Sequence, residues 1–310
     1  MIKMQTQSAP AHNTAADIQT RISGENLALQ EKFATEGYIG PFKLPDDIKL
    51  NAVLQERYLA GVNRLSAFFP RRFLTWYKSL HEKSVPVLKT ASVSEITDKL
   101  QAVLGDDILI WGSQFIAQKP EHAHSWHLDV EYGCWNGATL WLGLKNLNSK
   151  TTLSLITHSH LLQTAPQELK DKFGVDPRDD DAILNEAKKL DPRCELKTFI
   201  LTPGEFVIWS GRAWHSTSNK SDKTRFSIIL QYCTPDNVPR IPLNYDYPDT
   251  KWSDVRPPCV MVKGSDRFHR NKILYKKDIE LLYAYLHPLY FAYYKVRRML
   301  GYVSQNISST

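Results

Sequence analysis

His124-Ser125-Trp126-His127-Leu128-Asp129 is the stretch on which the reading of this 310-residue chain turns. In an extended segment the side chains at positions i and i+2 point to one face. His127 and Asp129 can therefore present an imidazole and a carboxylate to a single point. The runs around this stretch are short, β-branched or aromatic, and separated by Gly, Asn, Ser and Pro: Asp107–Ala117, Ala138–Leu144, Leu153–Ile156, Phe206–Trp209 and Arg225–Tyr232. Such spacing predicts an antiparallel β-sandwich or barrel, a mainly β protein with flanking helices.

A third ligand from a distant strand would complete two histidines and one carboxylate on one face of an octahedral metal. That arrangement leaves three neighbouring positions open, as iron(II) oxygenases require for cosubstrate and oxygen. The chosen residue is His215, in the run Leu201–His215. There Pro203-Gly204-Glu205 supplies a turn, Phe206–Trp209 a strand, and Ser210-Gly211 a second turn that delivers the histidine. Ten residues on, Arg225 opens the strand RFSIILQY with Ser227 on its face. A guanidinium there can hold a dicarboxylic acid by forked, charge-assisted bonds, with a hydroxyl alongside. A lone His-x-Asp arises often by chance; the order of all these elements along one chain is what carries the metal reading.

The rest of the chain bounds the answer. Hydrophobic residues at 42% and charged residues at 23% are ordinary for a globular protein, which excludes collagen-like, coiled-coil and wholly disordered chains. No window holds the ~20 apolar residues of a membrane span, and the first residues lack an apolar signal core. The net charge of +6 comes without any run of five basic residues, so nucleic acid is not an expected partner. Cys134, Cys194, Cys233 and Cys259 lie far apart, which argues against a disulfide framework and suits a reducing cytoplasm. The expected organisation is a disordered leader over 1–16, one domain over 17–260 and a basic, aromatic helical extension over 261–310. Within the domain, helices over 17–37, 46–60, roughly 64–83 and 94–104 precede the strands, and a charged helical flap is inserted over 161–197.

With these residues in place the chain resembles the phytanoyl-CoA dioxygenase-like family of iron(II)- and 2-oxoglutarate-dependent dioxygenases. The resemblance runs from Phe33-x-x-x-Gly37-Tyr38 to about Tyr232. It rests on Trp126-His127-Leu128-Asp129, Thr139-Leu140-Trp141-Leu142, Ser159-His160, Pro203-Gly204-Glu205, His215 and Arg225. It implies a double-stranded β-helix (a jelly-roll, cupin-like core) with the metal at its open end. It also implies His127, Asp129 and His215 as iron(II) ligands, Arg225 on the distal carboxylate of 2-oxoglutarate, and Ser227 as the serine of an Arg-x-Ser signature. Gln114 is a further candidate for cosubstrate contact. Oxygen would be the second cosubstrate, and hydroxylation of an aliphatic C–H, with release of succinate and carbon dioxide, the expected reaction. Related halogenases replace the carboxylate ligand by Ala or Gly; Asp129 favours hydroxylation. The family's Asn-Gly-x-Leu and Pro-Gly-Ser-His are replaced by Thr151-Thr152-Leu153 and Thr157-His158-Ser159-His160, so the loop entering the flap is expected to take another path.

His122, His124, His158 and His160 read as loop positions or substrate hydrogen-bonding groups, and most of the tryptophans near the motif as core. From Tyr275 to Tyr302 aromatic and basic residues alternate with aliphatic ones, and Pro288 is expected to kink or divide the helix. This segment suits packing on the barrel, a dimer interface, or peripheral contact with an anionic membrane surface. One bacterial subgroup of the family hydroxylates the Kdo sugar of lipopolysaccharide, so a lipid-linked sugar stands beside a small molecule as substrate class. A cytoplasmic location follows, with peripheral contact at the inner membrane face if the helix docks there. The competing readings are a jelly-roll binding protein without catalysis and a hydroxylase of protein or nucleic acid.

Overall fold

The computed structural model describes residues 15–62 and 77–299. The expected leader lies outside them except for positions 15–16, and so does most of the aromatic helix expected over 64–83. Its last residues, 77–83, form a bend and a 3-10 turn at Leu80–Glu82, not an α-helix.

Eight helices are described: α1 (Ala15–Glu36), α2 (Leu50–Gln55), α3 (Leu59–Val62), α4 (Val85–Ala91), α5 (Ser94–Leu104), α6 (Pro166–Phe173), α7 (Asp180–Leu190) and α8 (Lys276–Met299). The strands are β1 (Tyr38–Lys43), β2 (Ile108–Gln118), β3 (His122–His127), β4 (Ala138–Lys145), β5 (Thr151–Ile156), β6 (Leu196–Phe199), β7 (Glu205–Ser210), β8 (His215–Asn219), β9 (Arg225–Cys233), β10 (Pro258–Lys263) and β11 (Lys272–Ile273). They form a seven-stranded sheet, ordered β1-β7-β4-β9-β2-β10-β11, and a four-stranded sheet, β3-β8-β5-β6. All pairings are antiparallel except β10 with β11. This is the jelly-roll architecture that the resemblance implies.

Alternation along the strands sorts side chains into two cores. On β9, Phe226, Ile228, Leu230 and Tyr232 face the helices, where they join Ile39, Leu140, Leu142, Phe206 and Ile208 and the buried residues of α4 and α5. Each such side chain contributes about 1.5–3 kcal/mol on burial. The other face of the large sheet looks at the small one. There Trp141, Val207 and Trp209 meet Leu153, Leu155, Leu201 and Ala213, and Ile229 of β9 packs against them. Arg225, Ser227 and Gln231 share that inner face with Ile229, because the strand period is two.

Three stretches differ from expectation. β10 crosses position 260, so the large sheet reaches past the point where the extension was expected to begin, and residues 196–197 of the flap belong to β6. Pro288 does not divide the last helix: α8 runs unbroken from Lys276 to Met299. The segment 56–58 grips it on both sides of the proline. Tyr283 and His287 meet Glu56, while His287, Phe291 and Tyr294 pack around the Tyr58 ring. That packing offsets the one backbone hydrogen bond the proline removes.

Candidate metal centre

β3 and β8 are neighbours, and His127 stands directly opposite His215 in their register. Directly opposed residues share a face, which explains the 4.2 Å between their ring centroids. Asp129 lies two residues beyond His127 on backbone that is still extended, with φ −67 and ψ 107, before a 3-10 turn begins. One ligand atom from each of His127, Asp129 and His215 lies within 4.8 Å of the others, and among the described residues no other such group occurs. His215 Nε2 is 3.8 Å from Asp129 Oδ1.

The donors are pre-aimed. His127 Nδ1 donates to the Ser125 carbonyl at 2.8 Å, and His215 Nδ1 donates to the Ala213 carbonyl at 2.9 Å. Both assignments leave the Nε2 lone pair directed at the common point. Burial, reinforced by the neighbouring His215 and His124, pushes the His127 imidazole well below its ordinary value, so it is neutral at pH 7. On Asp129, Thr139 Oγ1 donates to Oδ2 at 2.8 Å, and Gln231 Nε2 reaches the same oxygen at 3.5 Å. Oδ1 is left for a cation.

Turns deliver these groups. Trp214, the residue before His215, donates its N–H to Ser159 Oγ, which in turn donates to the Ile156 carbonyl. His158 takes the left-handed conformation, φ 62, that the family's missing glycine would take without strain. His160 Nε2 donates to the Ala34 carbonyl, so this loop is tied back to α1. At the other corner, a Cβ on Gly211 would overlap the buried Tyr132 ring, so only glycine fits there. Between His127 and Asp129, Gln167 of α6 accepts from Leu128 N–H at 3.2 Å and donates to the Leu128 carbonyl at 2.9 Å.

Nearby, on the inner face of β9, is a buried cation without an anion. Arg225 is fully buried, donates from Nη1 to the Thr152 and Ser218 carbonyls, and stacks on Trp141 with Cζ 5.0 Å from the ring centre. Its Nε and Nη2 have no partner, and neither does the buried Ser227 Oγ two residues along the same face. Burial draws the guanidinium down to about 10, still charged at neutral pH. Unpaired buried polar groups are rare and costly, so their clustering marks a place for a ligand. A carboxylate fits it. Gln114 stands opposite Ile229 in the β2–β9 register and so shares this inner face. His124 stacks edge-on against His127, with ring centroids 4.2 Å apart, and His122 is exposed at the start of β3.

Thr139, Gln231 and Gln167 were not legible as site residues. Gln231 carried a signal, because it sits at even spacing from Arg225 on one strand. Gln167 carried none, since nothing local ties a flap glutamine to Leu128.

Fold and site together define a jelly-roll in which two histidines and a carboxylate converge, with a buried arginine on the same inner surface. The chain belongs to the phytanoyl-CoA dioxygenase (PhyH) family, whose profile matches residues 51–227. It is an iron(II)- and 2-oxoglutarate-dependent oxygenase. No curated protein matches the chain by sequence. Among solved structures it is similar to the apo non-heme monooxygenase ThoJ, with 16% identity, 87% of this chain and 99% of that chain covered, and a TM-score of 0.54. It is also similar to CytC3 with Fe(II) and alpha-ketoglutarate, at 18% identity, 81% and 92% coverage and a TM-score of 0.53. The nogalamycin-biosynthesis epimerase SnoN, in complex with Fe3+ and alpha ketoglutarate, follows at 17% identity, 76% and 94% coverage and a TM-score of 0.51. These likenesses concern the fold. No described helix is long and apolar enough to cross a membrane.

Proposed function

We propose that His127, Asp129 and His215 hold the iron, that Arg225 and Ser227 bind the distal carboxylate of 2-oxoglutarate, and that Gln114 lines the same pocket. The reaction is hydroxylation of an aliphatic C–H in a small or lipid-linked substrate, with succinate and carbon dioxide released. The observation that carries this reading is the convergence of three free donor atoms beside a buried, unpaired guanidinium.

Each residue then has a definable task. The Ser125 and Ala213 carbonyls keep the Nδ1 protons of the two imidazoles, so that Nε2 faces the cation. Thr139 and Gln231 hold one carboxylate oxygen of Asp129 and free the other. Arg225, fixed by two carbonyls and the Trp141 ring, orients the keto acid and thereby its chelating end. The tryptophans and leucines between the sheets keep water out. When bound, iron with 2-oxoglutarate supplies the activation of oxygen, two electrons coming from decarboxylation of the keto acid and two from the C–H bond. Asp129 occupies the carboxylate position and supports hydroxylation over halogenation.

Anaerobic addition of iron(II) and 2-oxoglutarate to the purified protein is expected to raise a weak visible charge-transfer band. His127→Ala is expected to abolish it. A wild-type protein without the band, or a variant that retains it, overturns the assignment.

A further inference from the structure

The last helix has two apolar faces, and only one of them is used. Ile279 is buried against the body, and Tyr283, His287 and Tyr294 pack on Glu56 and Tyr58. At 100° per residue the opposite side of α8 carries Leu281, Tyr285, Leu289, Ala292, Val296 and Met299 within an arc of about 100°. All are exposed, Tyr285 by 70%, Leu289 by 64% and Met299 by 77%. The stripe is about 28 Å long; the exposed Asp278 lies at its N-terminal end, and from Leu281 onward no charged residue falls in it. Leu282 and Tyr293, also exposed, widen one edge, and Lys277 and Lys295 line the other. A monomer does not keep such a face in water without a use for it.

We propose that this outward face of α8 docks on an anionic lipid surface, lying in the interface with its basic edge on the headgroups. Charge chooses the occupant. Over α8 the five basic residues Lys276, Lys277, Lys295, Arg297 and Arg298 outnumber the two acids Asp278 and Glu280, both near its start, and from Leu281 to Thr310 the sequence has no Asp or Glu. A second copy packed stripe to stripe would double this excess of positive charge, whereas an anionic membrane neutralises it. Tyr275, Tyr285 and Tyr293, exposed along the helix, suit the boundary between headgroup and acyl chain. The helix is too polar to cross, which leaves it on the surface. This inference does not rest on the iron site.

The test is flotation of the full chain with phosphatidylcholine vesicles and with vesicles that also contain phosphatidylglycerol, each at low and high salt. The protein is expected to float with the anionic vesicles only, less so at high salt. Tyr285→Ser/Leu289→Ser is expected to lower the floated fraction by about tenfold or more. Both side chains point outward, so the fold should survive, and an unchanged iron–2-oxoglutarate band would show that it does. No flotation of the wild type, or equal flotation of the variant, overturns the proposal. So does a wild-type dimer in light scattering that the variant dissolves, which would assign the face to a second copy. Loss of the band in the wild type would count against the iron site alone.

Discussion

Asp129 shows how much a single residue is asked to do. It is buried beside His215, and as a proposed iron ligand it has to offer one oxygen to the cation while the other is held. Thr139 supplies the principal hold. Thr139→Val keeps the shape and removes the donor, so iron(II) affinity is expected to fall about tenfold while the fold remains, as anaerobic titration monitored by fluorescence would measure. Unchanged affinity would mean that Gln231 alone suffices. Arg225 is the complementary case: a charge kept dry by Trp141 and two carbonyls, whose remaining donors need an anion. His127, Asp129, His215 and Arg225, the proposed ligands and cosubstrate anchor, could be singled out in the sequence because metal and carboxylate chemistry restricts which side chains can serve, and the fold brings the first three together. Thr139 and Gln231 could not be, since a hydroxyl or an amide on a strand has many uses.

At the scale of elements, the flap does more than cover. Trp126 Nε1 donates to Asp180 at the start of α7, and Gln167 of α6 closes a two-point bond on Leu128. A side chain here plays the part of a neighbouring strand for the backbone between two ligands. Gln167→Leu should therefore lower iron(II) affinity by about tenfold with a small change in melting temperature, because it frees the ligand spacing rather than the core. A large loss of stability without loss of affinity would make Gln167 a packing residue. The strands β2, β4, β5, β7 and β9 were legible from periodicity and turn residues, whereas β6, inside the expected flap, and β10 and β11 were not. The end of α5 was legible: Gly105 sits just after it at φ 106, a conformation other residues rarely adopt. The unbroken α8 was not, because packing on residues 56–58 outweighs what Pro288 does locally.

Over the whole molecule, buried titratable groups set the response to acid. His81 is fully buried; Ser113 Oγ lies 2.8 Å from its Nδ1, and its Nε2 reaches the Pro258 carbonyl. Burial draws its imidazole from 6.5 down to about 4. Between those values the unfolded chain binds a proton that the folded chain refuses. Stability from this group is thus complete above about pH 6.5 and is lost as pH falls towards 4, by about 3 kcal/mol. Glu82, pushed up to about 7 by burial, acts in the opposite sense, so the readout is a difference. Urea unfolding of iron-free wild type and His81→Gln is expected to show their stability gap narrowing by about that amount from pH 7 to pH 4. A gap constant with pH would remove His81 from the acid response.

What reading along the chain could establish was the oxygenase class and much of the strand content. Metal-ligating residue types, an arginine opening a strand and a period of two are local properties, written in residue identity and spacing. What folding in three dimensions added was partnership: which oxygen of Asp129 is tied, which flap side chain holds Leu128, and which side of α8 is left bare. Those depend on contacts between residues tens to hundreds of positions apart, and no local pattern encodes them.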